Sequence, residues 1–285
     1  MSVGKLYLVA TPIGNLKDLS PRACEVLQSV DFVAAEDTRV TYKLFTALSL
    51  SLKPMISYYE HNRRQRGEEV LARLLAGESC ALVTDAGMPA VSDPGEDMVA
   101  LAAENGIEVL PVPGCCAAVC ALAVSGLPTG RWCFEGFLSV NKKARREHLM
   151  ALKDEKRTMI FYEAPHKLRN TLEDLQTAFG AERHISLSRE LTKLHEQTLR
   201  MTLSEAKVYF TENSPRGEFV LIVEGAPECP VQDESDRMEQ ALADVLERIH
   251  RGETTKDAVK AVSAAAGVKK NALYQRVIDT ESTQT

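Results

Sequence analysis

Ala81-Leu-Val-Thr-Asp-Ala-Gly-Met-Pro-Ala-Val-Ser-Asp-Pro-Gly95 is the stretch on which the rest of the chain turns. Its apolar start, Ala81 to Val83, reads as a buried strand. The residues that follow, Asp85, Gly87, Pro89, Asp93, Pro94 and Gly95, are of the types that fix special backbone geometry. Asp93 suits a helix N-cap, Pro94 the first helical position, and Glu96 stands three residues after the cap, as in a capping box. In an open α/β sheet, a strand that runs through a rigid loop into a helix predicts a ligand site outside the carboxyl ends of the strands.

The same alternation extends outward from this stretch. Leu6 to Ala10, Phe32 to Ala35, Met55 to Tyr58 and Ile107 to Leu110 read as further strands separated by helical patterns, the signature of a parallel sheet covered by helices. Ser20-Pro21 opens one helix and the pair Asn62 and Gln65 predicts a capping box at another. A helix of small residues, Ala117 to Val124, leads to Gly126-Leu-Pro-Thr-Gly130, a linker signal. Beyond it, Trp132 to Phe137, Thr158 to Tyr162, His184 to Leu187, Gln197 to Thr202 and Glu218 to Val223 read as strands, with helices at Lys142 to Leu152 and Pro165 to Phe179. Apolar–polar alternation in the last two strands predicts antiparallel pairing and hence a mixed sheet. Pro227 to Asp236 reads as an acidic linker, and the remainder as three helices with Gly267-Val-Lys-Lys-Asn271 between the last two. That spacing suits a helix-turn-helix, with a plain helical cap as the alternative. The expected organisation is an N-terminal α/β domain over residues 1–125, a second α/β domain over 126–226, and a helical domain over 236–285.

With 285 residues, 45% hydrophobic and 26% charged, the chain has the composition of an ordinary globular protein. Its net charge of -6 argues against nucleic-acid binding by bulk charge, though not against local patches. The first apolar run is too short for a signal or membrane helix and no later run reaches the length of a span, so a cytoplasmic protein without a membrane partner is expected. Seven cysteines occur without paired Cys-x-x-Cys knuckles, so no metal site is expected and the thiols read as small apolar residues. Walker, Gly-x-Gly, Gly-x-Ser-x-Gly and His-Glu-x-x-His patterns are all absent, which removes the usual phosphate-binding, dinucleotide-binding and hydrolase readings.

What remains is a set of loops at one sheet edge: Thr11-Pro-Ile-Gly-Asn-Leu16, Ala35-Glu-Asp-Thr-Arg39, Thr84 to Gly95 and Pro111-Val-Pro-Gly114. With Phe134-Glu-Gly-Phe-Leu138, Ile160-Phe-Tyr-Glu-Ala-Pro-His-Lys-Leu168, Arg189-Glu-Leu-Thr-Lys193 and Gly267-Val-Lys-Lys-Asn-Ala-Leu-Tyr274, they resemble the ribosomal RNA small subunit methyltransferase I family. That family lies within the tetrapyrrole methylase superfamily. The resemblance covers essentially the whole chain. It implies two α/β domains with an S-adenosylmethionine cleft between them, a small helical domain, and methylation of the ribose 2′-hydroxyl of a cytidine in the decoding region of 16S ribosomal RNA. It further implies a homodimer acting on the small ribosomal subunit. By the same resemblance Asp85, Ala86, Gly87, Met88 and Pro89, with Pro113, Gly114, Cys115, Cys116 and Ala117, lie against the cofactor. Tetrapyrrole relatives carry Gly-Asp-Pro in the first of these loops, where this chain has Asp-Ala-Gly-Met-Pro.

Transfer of a methyl group to a ribose oxygen calls for alignment and for a base, because the hydroxyl is a very weak acid. His61, Glu163 and Glu190 stand beside family-like motifs and are the candidates. Each has a structural alternative: strand-end packing for His61, helix capping or Arg pairing for Glu163, and pairing with Arg189 or Lys193 for Glu190. Phosphate contacts are expected from Arg63, Arg64 and Arg66, from Lys142, Lys143, Arg145 and Arg146, and from Lys269 and Lys270. Two rival functions are a tetrapyrrole-precursor C-methyltransferase and a non-catalytic RNA-binding assembly factor.

Overall fold

The computed structural model describes residues 3–93, 95–227 and 234–283. The expected place of Pro94 at a helix start, and most of the acidic linker, lie outside the described residues. Two compact units result, Met1–Ala226 and Pro227–Thr285.

The first unit opens with a five-stranded sheet made of β1 (Lys5–Val9), β2 (Phe32–Ala35), β3 (Met55–Ser57), β4 (Cys80–Val83) and β5 (Glu108–Val112), ordered β3-β2-β4-β1-β5 and parallel throughout. The central strands β2 and β4 are buried at every position, which is why they read as continuous apolar runs. Helices α1 (Pro21–Ser29) and α2 (Thr38–Ala47) cover one face through Ala23, Leu27 and Phe45; α3 (Arg63–Leu75) and α4 (Gly95–Glu104) cover the other through Val70, Leu74, Met98 and Ala102. Ser20 caps α1 as expected, its hydroxyl accepting from Ala23 N at 3.1 Å. The capping box expected at Asn62 does not form. The Asn62 side chain turns back instead, accepting from Tyr59 N at 2.9 Å and donating to the Ser57 carbonyl at 3.0 Å.

Helix α5 (Ala117–Val124) follows β5 in the chain but packs on the second sheet, where Ala118, Ala121 and Leu122 meet Ile160, Val220 and Ile222. That sheet is mixed. Its strands β6 (Trp132–Phe137), β7 (Thr158–Glu163), β8 (His184–Arg189), β9 (Gln197–Thr202) and β10 (Phe219–Val223) run in the order β6-β7-β10-β8-β9, with only β6 and β7 parallel. Its other face packs Met159, Phe161, Leu187 and Leu221 against α6 (Lys142–Ala151), α7 (Leu168–Phe179) and α8 (Leu203–Glu212). Helix α8 was not expected from the sequence.

The second unit comprises α9 (Glu234–His250), α10 (Thr255–Ala266) and α11 (Lys270–Thr283) around Val245, Val259, Val262, Leu273 and Val277. Gly267 ends α10 in the left-handed region at φ 66°, where glycine carries no Cβ penalty, and a three-residue turn leads into α11. Lys269 and Lys270 are exposed at that turn. Among the described residues no helix is long and apolar enough to cross a membrane.

Candidate active site

The loop after β4 is held by three devices. Thr11 and Gly87 form an isolated antiparallel bridge, and the Thr11 hydroxyl donates to the Thr84 carbonyl at 3.1 Å. Gly87 sits at φ +95°, a conformation that L side chains rarely adopt. Ala90 and Ser92 are also held at positive φ, 66° and 70°, the kind of local strain that persists only where surrounding bonds over-determine it. Asp93 supplies those bonds. Its carboxylate accepts from Ala90 N and Gly95 N at 2.9 Å and from Val91 N at 3.3 Å, so the residue expected as a simple helix cap also ties the loop.

Around this loop the acids interlock. Asp85 Oδ1 accepts from Asp37 N at 3.0 Å, while Glu36 Oε2 accepts from the Thr84 hydroxyl and from Asp85 N. Desolvation and then the nearby Glu36 raise the Asp85 pKa above the ordinary carboxylate value. Asp93 is raised by burial, which its three N–H donors only partly offset. Asp37 goes the other way, to about 2, because the Arg39 side chain and backbone donate to it.

The second sheet closes the cleft. A register shift between Phe134 and Gly136 bends β6, with Gly136 at φ 64°, and the Phe134 and Phe137 rings meet Tyr162 edge-on at 5.1 and 5.4 Å. The Tyr162 hydroxyl accepts from Ala118 N at the start of α5 at 3.2 Å, and burial pushes its pKa up to about 12. Between β8 and β9, Glu190 at φ 52° and Thr192 at φ 65° form a tight loop in which Glu190 Oε1 accepts from Lys193 Nζ at 3.0 Å. Gly14 leans on this loop so closely that a Cβ there would lie 2.5 Å from Lys193 Cγ and 3.0 Å from the Leu191 carbonyl oxygen. The first and second sheets therefore share one concave site.

Of the expected cofactor residues, Asp85, Ala86, Gly87, Met88, Cys116 and Ala117 line this cleft. Pro89, Pro113, Gly114 and Cys115 are not part of that lining: Gly114 lies where a Cβ would come within 2.8 Å of Ala10 Cβ, and Cys115 Sγ is directed to the Asp18 carbonyl at 3.9 Å. Glu163 and Glu190 both border the cleft. His61 does not: it follows the edge strand β3, two strands from β4, and opens onto a separate depression with Asn62, Arg64, Gln65 and Glu68. Sequence reading passed over Ile13, Glu36, Tyr162 and Lys193 as lining residues, although each lies inside a quoted motif.

The expected phosphate contacts divide. Arg145, 12% exposed, and Arg146 both bind the Asp174 carboxylate, itself 3% exposed, at 2.7 and 2.9 Å. Arg145 also donates to the Ser139 carbonyl, and through Asp174 the pair joins α6 to α7, with Arg146 still 51% exposed. Arg63 pairs with Asp97 at 2.8 Å and Arg66 with Glu69 at 2.5 Å. Arg64, Lys142, Lys143, Lys269 and Lys270 are exposed. Among the described residues no cluster of three or more His, Cys, Asp or Glu side chains is arranged to hold a metal ion.

A family model described as Tetrapyrrole (Corrin/Porphyrin) Methylases matches residues 5–207. Solved structures share the fold. One is a cobalt precorrin-4 methyltransferase, with TM-score 0.56 and 16% identity, covering 77% of this chain and 94% of that one. Another is uroporphyrin-III C-methyl transferase from Thermus thermophilus complexed with S-adenyl homocysteine, with TM-score 0.54 and 19% identity, covering 78% and 97%. Fold and matched residues together define the class as that of the tetrapyrrole methylases. Within it, the chain is 48% identical to a ribosomal RNA small subunit methyltransferase I of Synechocystis sp. over 98% of its own length and 99% of the relative's. A Bacillus subtilis protein of the same name is 42% identical over 95% and 93%. The chain belongs to the ribosomal RNA small subunit methyltransferase I family.

Proposed function

We propose that this protein methylates the 2′-hydroxyl of a cytidine in the decoding region of 16S ribosomal RNA, using S-adenosylmethionine. The carrying observation is the near full-length likeness to small subunit methyltransferases I. The charge of the cleft suits such a cofactor. Among the described residues its lining carries six carboxylates, Glu36, Asp85, Asp93, Glu163, Glu190 and Glu218, and one basic side chain, Lys193. That environment favours a ligand with a sulfonium and an ammonium group. The Asp85–Met88 loop and the α5 start would hold it, the helix N-terminus favouring an anionic group. When bound, the cofactor supplies an electrophilic methyl group on positively charged sulfur.

The chain's own contribution is to fix the ribose oxygen in line with that methyl and to take its proton. Glu190 is the candidate we favour for the base. Glu163 is 3% exposed and its oxygens accept from Ala164 N and the Thr171 hydroxyl, so it serves as an internal strut at the start of α7. His61 opens onto a separate depression, which weighs against it as the base. Lys142, Lys143, Arg64 and the Lys269–Lys270 turn would meet more distant phosphates, and we place the protein in the cytoplasm as a homodimer. Mapping 2′-O-methylation across 16S ribosomal RNA from cells with and without the protein tests the reading. Loss of one cytidine mark is expected; an unchanged map would reject it.

A further inference from the structure

A carboxylate-lined cleft suits a cationic cofactor and opposes a polyanion, yet on the reading above an RNA strand must bring a ribose into it. Its phosphate needs a compensating cation at close range. Among the described residues of the lining Lys193 is the one basic side chain, and Arg145 and Arg146, both bonded to Asp174, lie outside that lining. We propose that the hairpin loop between β8 and β9 grips the RNA at the reacting nucleotide, Lys193 contacting a flanking phosphate and Leu194 packing on a base. This rests on the methyltransferase reading and adds a substrate-binding element to it.

The loop is built for such a task. Its entry is over-determined: Lys193 N donates to the Glu190 carbonyl at 2.9 Å, Thr192 N to Glu196 Oε2 at 2.8 Å, and Glu196 N to the Lys193 carbonyl at 3.2 Å. Gly14 blocks retreat on one side, and the backbone takes positive φ at Glu190 and Thr192, a strain characteristic of functional sites. The tip, by contrast, faces outward. Leu194 is 93% exposed, directly beside the cleft lysine. An ammonium has three N–H donors, so the bond to Glu190 leaves donors for a phosphate oxygen. Leucine is among the apolar side chains that wedge against unstacked bases in nucleic-acid complexes.

The test uses the full chain and small ribosomal subunits lacking the methyl mark. Filter binding at several salt concentrations gives RNA affinity, and equilibrium dialysis gives S-adenosylmethionine affinity. Lys193→Met is expected to weaken subunit binding several-fold and to flatten the salt dependence by about one phosphate contact, roughly 0.7 in the log–log slope. Lys193→Arg should retain both, Leu194→Ser should weaken subunit binding without changing the slope, and cofactor affinity should stay at the wild-type value in all three. Lys207→Met, on α8, serves as the remote control, and melting curves verify folding. Unchanged subunit affinity and slope in a folded Lys193→Met protein would overturn the proposal, as would a loss confined to cofactor affinity. A wild-type protein that transfers no methyl group would instead reject the methyltransferase reading itself.

Discussion

Thr11 and Gly87 exchange both backbone hydrogen bonds, at 2.9 and 3.1 Å, and so lock the loop after β1 to the loop after β4. Gly87 holds φ +95°, and a Cβ added there would stand 3.5 Å from Ile13 Cγ2 and 3.7 Å from the Cys115 carbonyl oxygen, so a branched side chain is strained and intrudes on the site. Gly87→Val should abolish detectable cofactor binding in calorimetry. The loop is local and the sheet core untouched, so the variant should still melt cooperatively.

Glu190 and Glu163 border the same cleft but do different work. Glu190→Gln should lower kcat by about a hundredfold or more, the scale of a lost general base, with little change in melting temperature. Glu163→Gln should do the reverse, lowering the melting temperature while leaving kcat near wild type. Single-turnover assays and thermal melts on both variants separate the roles.

Asp174 takes both Arg145 and Arg146, and removing it leaves the largely buried Arg145 guanidinium without its carboxylate. Asp174→Ala should cost about 3 to 5 kcal/mol in denaturant titrations, as for other broken buried pairs. Burial alone would raise the Asp174 pKa, but hydrogen bonds from Arg146 and Arg145 outweigh it and the net shift is downward. A carboxylate depressed in the folded state stabilises above its unfolded pKa, and that contribution is lost as pH falls through the folded value. The clamp should therefore weaken only in strong acid, at a pH below the ordinary Asp range.

Asp85 shows the opposite sign. Its pKa is raised in the folded protein, so the charged form costs stability at neutral pH and the cost is relieved as pH falls through the raised value. Asp85→Asn keeps an oxygen to accept from Asp37 N and should melt at or above the wild-type temperature at pH 7, with the difference vanishing in acid. Cofactor affinity should fall in the same variant. A lowered melting temperature at pH 7 would contradict the desolvation of Asp85 as the cause of its shift.

Arg200 on β9 donates to the Ser125 carbonyl at 3.1 Å and to the Val124 carbonyl, capping the end of α5 opposite the cleft. A cationic side chain at a helix C-terminus is worth about 0.3 to 1 kcal/mol, rising to about 2 where it is partly buried. Arg200→Ala should destabilise the protein on that scale and weaken cofactor binding by loosening the end of α5, measured by chemical denaturation and dialysis.

Much of the fold was legible because its signals are local. Ser20 before Pro21, the apolar runs of β2 and β4, and the small-residue helix at Ala117 each announce themselves within a few residues. Even α8 left a mark, since Thr202 and Glu205 form a capping box, but the preceding strand and its helix are continuous in the chain and no turn residue separates them. The site was legible where glycine and proline shape it and obscure where partners lie far apart in sequence. Arg145 and Arg146 look like a solvated basic run until Asp174, from another helix, is set beside them. His61 follows a strand as the lining residues of the β4 loop do, and only the strand order puts it at the sheet's edge. Asn62 has the residue type of a cap, yet the Ser57 carbonyl and Tyr59 amide compete for its amide group more effectively than the helix.

The attachment of α5 to the second sheet bears on how this architecture can be inherited in pieces. The Gly126–Gly130 segment is the seam that the chain displays, but an exchange between relatives at that seam would pair one parent's α5 with the other parent's Ile160, Val220 and Ile222. An exchange before Ala117 keeps the helix with the strands that it covers. Viable chimeras in this family should accumulate at the earlier crossover and be depleted at the later one.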